Sequence, residues 1–116
     1  MDDERRGTLE RAAARLRQLR LYERPVRVRG VRSVVAPWLF RLPWFRNFDG
    51  YATHLLLLFR DDASATDEDL VTHELCHVWQ MQHRPIEMPL SFLTDGYEEN
   101  EYEREARRAV EATRPI

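Results

Sequence analysis

Along this chain the spacing of apolar residues switches between helical and strand periods, and each switch predicts an element. Between Glu4 and Tyr22, Leu9, Ala12, Ala13, Leu16 and Leu19 recur at helical spacing, with Arg11, Arg15 and Arg17 off that stripe. Pro25 ends the helix. Val26 to Val31 alternates apolar residues with arginine and reads as a strand, which Val34 and Val35 extend. Residues 36–50 crowd Pro37, Trp38, Phe40, Pro43, Trp44, Phe45 and Phe48 into one stretch. Two prolines exclude a regular element there, so an aromatic loop is expected, most of its rings packing and some forming a cleft wall. Tyr51 to Arg60, with four leucines before Phe59, is the best strand candidate. After a turn over Asp61–Thr66, Thr66 or Asp67 caps a helix that runs to about Gln82, with acidic residues in its first turn. Leu75 and Trp79 fall on the core side of that helix. Pro85 and Pro89 forbid its continuation. A last helix follows Asp95-Gly96 and ends near Thr113. The order helix, strand, strand, helix, helix predicts an α+β fold: a small sheet packed on three helices.

At 116 residues the chain is long enough for one core and not for two, so residues 1–116 are read as a single domain. The composition, 43% hydrophobic and 33% charged, is that of a soluble globular protein. The longest apolar run, Leu55 to Phe59, is far too short to span a membrane. Met1-Asp2-Asp3-Glu4 has no apolar signal core, and the lone cysteine suits a reducing compartment, so a cytoplasmic location is expected. The net charge of −2 is unevenly spread: residues 1–58 hold 12 Arg against 6 acids, and residues 59–116 hold 6 Arg against 14 acids. The arginines are scattered rather than clustered with aromatics. Mutual neutralisation of the two halves is therefore expected, with no nucleic-acid or membrane partner. There is no lysine, which excludes Schiff-base chemistry.

The residues that change this picture most are His73-Glu74-Leu75-Cys76-His77. They read His-Glu-x-x-His, the pattern of zinc-dependent metallopeptidases. On a helix, positions four apart lie about 40° from each other, so His73 and His77 can aim ring nitrogens at one Zn2+ ion. Glu74 stands about 100° round from His73, placed to take a proton from water without being a ligand. Cys76 lies beside the metal face but off its centre, and a small buried apolar role is expected for it.

Catalytic zinc sites use three protein ligands, and the sequence offers two kinds of third ligand. His83 has the spacing of a metzincin ligand, but Gln80 stands where that motif needs a glycine turn. A helical His83 would lie about 15 Å along the axis from His73. The alternative is a carboxylate from the last helix. Its apolar stripe is Tyr102, Ala106, Ala109 and Val110, and Glu103 and Glu99 project on or beside that stripe. Glu101, Glu105, Arg104 and Arg108 fall elsewhere and read as solvated. Asn100 can cap this helix with Glu103 three residues on, a competing role for that glutamate.

His-Glu-Leu-Cys-His followed by Glu103-Arg104-Glu105-Ala106 resembles the two motifs of the gluzincins, in particular small bacterial zincin-like domains and the Glu-x-x-Ala-Asp branch of integral-membrane metallopeptidases. Val78-Trp79-Gln80 is similar to the residues that follow the first motif in the small bacterial domains. The resemblance covers roughly residues 51–110. It implies a minimal zincin-like scaffold with zinc between the motif helix and the C-terminal helix, held by His73, His77 and Glu103. The family's aspartate is replaced by Arg107; Asp95, Glu99 and Asn100 are the acids and amide that can stand in for it.

The implied activity is hydrolysis of a peptide or protein substrate, with Glu74 as general base and Tyr51, His54, Tyr97 or Tyr102 as candidates to stabilise the oxyanion. Strand 51–60, if at a sheet edge, can pair with an extended substrate. The alternative is a zinc-binding structural or protein-interaction module without peptidase activity. The sequence carries no information on oligomeric state or cleavage specificity.

Overall fold

A computed structural model describes residues 2–96 and 100–114. The fold is α+β. Helix α1 spans Asp3–Leu16, capped by the Asp2 side chain accepting from Arg5 N–H. Strand β1 is Arg32–Val35, and a single 3-10 turn follows at Leu39–Arg41. Strands β2, Gly50–Ala52, and β3, Leu56–Phe59, form a hairpin. Four helices complete the chain: α2 Asp62–Ala65, α3 Glu68–His83, α4 Glu87–Thr94 and α5 Glu101–Thr113. The sheet order is β1-β3-β2, with β1 parallel and β2 antiparallel to the central β3.

Helix α3 is the centre of the molecule. Its first turn is capped by Asp67, which accepts from Leu70 N–H at 3.2 Å. Val71, Leu75, Cys76, Val78 and Trp79 are buried in one cluster with Leu9, Ala12, Ala13 and Leu16 of α1, Leu57 and Phe59 of β3, and Ala106 and Ala109 of α5. The small residues on α1 and α5 let both helices approach α3 closely. Buried Arg15 ties the three together, bonding Asp69 at 2.8 Å, Thr113 Oγ1 at 3.1 Å and the Val110 carbonyl at 2.9 Å. Arg11 pairs with Glu68, and Arg5 lies 3.6 Å from Asp62, so arginines of the first half meet acids of the second.

Several expected boundaries shift for identifiable reasons. Helix α1 ends at Leu16 rather than near Tyr22, because the chain turns there and lays Tyr22 edge-on against Trp79, 5.5 Å between ring centres. Residues 26–31 form no strand. The Gln82 side-chain amide satisfies the backbone at Arg27, donating to its carbonyl at 2.6 Å and accepting from its N–H at 3.0 Å, in place of a neighbouring strand. The strand forms later, at Arg32–Val35, where β3 can pair with it.

The single strand expected over 51–60 is a tight hairpin. Thr53 turns the chain, its N–H donating to the Leu56 carbonyl and its Oγ1 accepting from Leu56 N–H. The leucine run is therefore the central strand, and the edges are β1 and β2. Short helix α2 replaces the expected turn, with Asp61 accepting from Ser64 N–H. Pro89 sits in the first turn of α4, where its missing N–H costs nothing. In the aromatic loop Phe40 is buried and packs against Phe45, whereas Trp38 and Trp44 are exposed rather than packed. Among the described residues, no helix is long and apolar enough to cross a membrane.

Candidate metal centre

His73 and His77 leave α3 on the same side, with ring centres 4.9 Å apart and planes nearly perpendicular. Glu103 reaches them from α5. Its Oε1 lies 2.6 Å from His73 Nε2 and its Oε2 lies 3.0 Å from His77 Nε2. The ligand atoms of the three residues lie within 4.8 Å of one another, a group able to hold a metal ion. The chemistry of the donor set fits: two imidazoles with Nε2 atoms converging on one carboxylate that is fully removed from solvent.

The cap of α5 explains how Glu103 is placed. Asn100, itself fully buried, accepts from Tyr102 N–H at 2.8 Å and Glu103 N–H at 3.2 Å, and donates to Ser91 Oγ at 2.8 Å. The helix start is thereby anchored to α4, and both oxygens of Glu103 face the histidines. Arg107, one turn on, comes within 3.5 Å of Glu103 Oε1, at the position where the resemblance has an aspartate.

The electrostatics follow from burial and pairing. Burial pushes the Glu103 carboxyl up, but hydrogen bonds from both rings outweigh it and hold the group well below the usual carboxylate range. Burial acts to lower the His77 imidazole, yet its bond to Glu103 and the nearby Glu74 charge leave it raised. Glu74 is different. Burial pushes its carboxyl above the usual range, against the pull of His77 and His73.

Glu74 stands where two cavities meet. One, of about 250 Å³, is lined mainly by apolar side chains: Phe48, Tyr51, Met81, Met88 and Phe92 beside Glu74 and His77. The other, of about 450 Å³, is lined by more charged residues and opens past His73 and Glu103 toward Asp69, Arg107 and Arg114. Gly50 and Phe48 border both.

The remaining candidates fall outside this group. His83 stacks on Tyr22 at 4.9 Å and bonds the Trp79 carbonyl at 3.2 Å. Cys76 is fully buried in the core cluster, where burial raises its thiol far above the ordinary range. Exposed His54 bonds the Pro85 carbonyl. Asp95 is the C-cap of α4. Tyr102 lines a separate surface hollow beside Glu87 and Leu90. Glu99 and Tyr97 lie outside the described residues. Glu105, read as solvated, is instead half-buried and accepts from Tyr22 Oη at 2.7 Å.

Sequence reasoning did not single out Gly50, Met81 or Met88. Met81 had a signal, since it follows His77 by four residues on the same helix face. Gly50 had a weaker one, as a glycine at a strand start often marks close backbone approach.

No family model matches the chain, and no curated protein and no solved structure matches it.

Proposed function

We propose that the chain is a zinc-dependent hydrolase of peptide bonds, of gluzincin type, with His73, His77 and Glu103 as the metal ligands and Glu74 as general base. The observation that carries this reading is the junction at Glu74. A carboxylate raised by burial stands next to a three-residue metal group and opens on cavities to either side.

Zinc at this position supplies Lewis acidity, which acidifies water and polarises a carbonyl. The rest is the work of the chain. Glu74, ionised, takes a proton from the attacking water as the new C–O bond forms. It then delivers that proton to the departing amine nitrogen as the C–N bond breaks. A pKa lifted by burial suits both halves of this transfer, because the same group must accept and then donate. The cavity of Phe48, Met81, Met88 and Phe92 would seat an apolar side chain next to the scissile bond. Tyr51 lines that cavity and is the described candidate for steadying the oxyanion.

A structural zinc tying α3 to α5 is the second reading, favoured by the full burial of Glu103. It leaves unexplained why a costly buried carboxylate, Glu74, faces the cavities. The test is Glu74→Gln at equal zinc content. The hydrolase reading expects a loss of peptide cleavage of a hundredfold or more, on the order of general-base contributions. Equal cleavage by parent and variant would overturn it.

A further inference from the structure

Gln80 is fully buried one turn beyond His77 on α3, at the centre of a hydrogen-bonded chain that crosses between helices. Its side-chain nitrogen donates to the Tyr102 carbonyl at 2.8 Å and to Glu105 Oε1 at 3.0 Å. Its side-chain oxygen lies 2.8 Å from His77 Nδ1. The orientation of this amide follows from chemistry. A backbone carbonyl can only accept, so the NH2 end must face Tyr102 and the oxygen must face the ring. Nδ1 of His77 is then the donor, and it carries a proton.

We propose that Gln80 is a positioning residue for the metal centre: it keeps a proton on His77 Nδ1, so that Nε2, which donates to Glu103 Oε2 in this structure, is the nitrogen that gives up its proton and turns its lone pair to a metal, while Glu105 and the Tyr102 carbonyl hold Gln80 in that orientation. Glu105 is in turn held by Tyr22 Oη at 2.7 Å, which roots the chain in the segment after α1. Histidine ligands bind metal through one nitrogen and need an acceptor for the other. Carboxylates and backbone carbonyls often serve; here the acceptor is a neutral amide that cannot turn round without setting its nitrogen against the His77 N–H and its oxygen against an acceptor. The inference rests on the reading of His73, His77 and Glu103 as metal ligands.

Gln80 also ties α3 to α5, so the test must separate positioning from tethering. Gln80→Met and Gln80→Glu both lose the donor to Tyr102 and Glu105; only the methionine variant also loses the acceptor for Nδ1. Zinc affinity is measured by chelator competition on folded protein, well below the melting temperature, alongside metal-free melting curves. Positioning predicts that Gln80→Met binds zinc about 10- to 100-fold more weakly, and that Gln80→Glu stays within a few-fold of the parent. If Gln80→Glu does not fold, Gln80→Glu with Glu105→Gln restores a donor facing the new carboxylate and takes its place. Equal weakening in both variants, or none in either, overturns the inference and leaves the metal site standing. A parent chain that binds no zinc overturns the metal reading itself, and this inference with it.

Discussion

Gly50 approaches Glu74 so closely that a β-carbon on Gly50 would stand 3.2 Å from Glu74 Cγ. The same β-carbon would meet the Phe59 ring at 3.2 Å, so the crowding has a rigid wall on one side and the proposed base on the other. Phe59 is fully buried and cannot yield easily. Gly50→Ala should therefore move Glu74 rather than the core. Zinc content should stay that of the parent, while peptide cleavage falls roughly tenfold, the scale expected when a reacting group shifts by a fraction of an ångström. Unchanged cleavage would show that Glu74 has slack or plays no part.

The third ligand can be separated by two alanine variants. Glu103→Ala removes the carboxylate that meets both histidines and should weaken zinc binding by orders of magnitude. His83→Ala removes a ring stacked on Tyr22 and should leave affinity nearly unchanged, with some loss of thermal stability. Chelator competition on both variants checks the pair.

The difference between Glu103 and Gly50 shows what the sequence made legible. Glu103 announces itself locally, as a carboxylate on the apolar stripe of its own helix, next to buried Ala106 and Ala109. Helix α3 was legible for the same reason: a capping acid, an acidic first turn and a helical apolar period lie within one stretch. The failures are places where a single side chain, distant or near, decides. Val26–Val31 has the strand alternation, but the Gln82 amide takes its backbone bonds. The leucine run folds as a hairpin through Thr53, in a segment without the glycine or asparagine that usually betrays a turn. Glu105 projects off the apolar stripe, yet Tyr22, far away in the chain, reaches across to it. Glu105 and Gly50 owe their roles to Tyr22 and Glu74, partners distant in the chain.

Acid stability should carry the mark of Asp69. Its hydrogen bond from buried Arg15 holds the Asp69 carboxyl below its ordinary value, with Arg114 adding to the effect. A depressed folded-state pKa means the contribution is present above the unfolded aspartate value, about 3.9, and is lost as pH falls through the folded value. Asp69→Asn should lower the melting temperature at neutral pH. The gap between variant and parent should close as pH drops below about 3.9. A gap that persists undiminished in acid would assign the effect to packing instead.

Cleavage preference should reflect the apolar cavity beside Glu74 and His77. Peptides placing Leu or Phe next to the scissile bond should be cut about tenfold or more faster than those with Asp or Ser there, on the scale of apolar discrimination in a hydrophobic pocket. Competing peptide mixtures read by mass spectrometry would measure this, and an acidic preference would rule out that cavity as the binding subsite.

The most direct test of the account is diffraction from zinc-loaded crystals at the zinc absorption edge. One anomalous peak is predicted, about 2.0–2.2 Å from His73 Nε2, His77 Nε2 and a Glu103 oxygen, with Glu74 outside the ligand shell. A peak held by His83, a zinc–sulfur distance of about 2.3 Å to Cys76, or no bound zinc at all would contradict it.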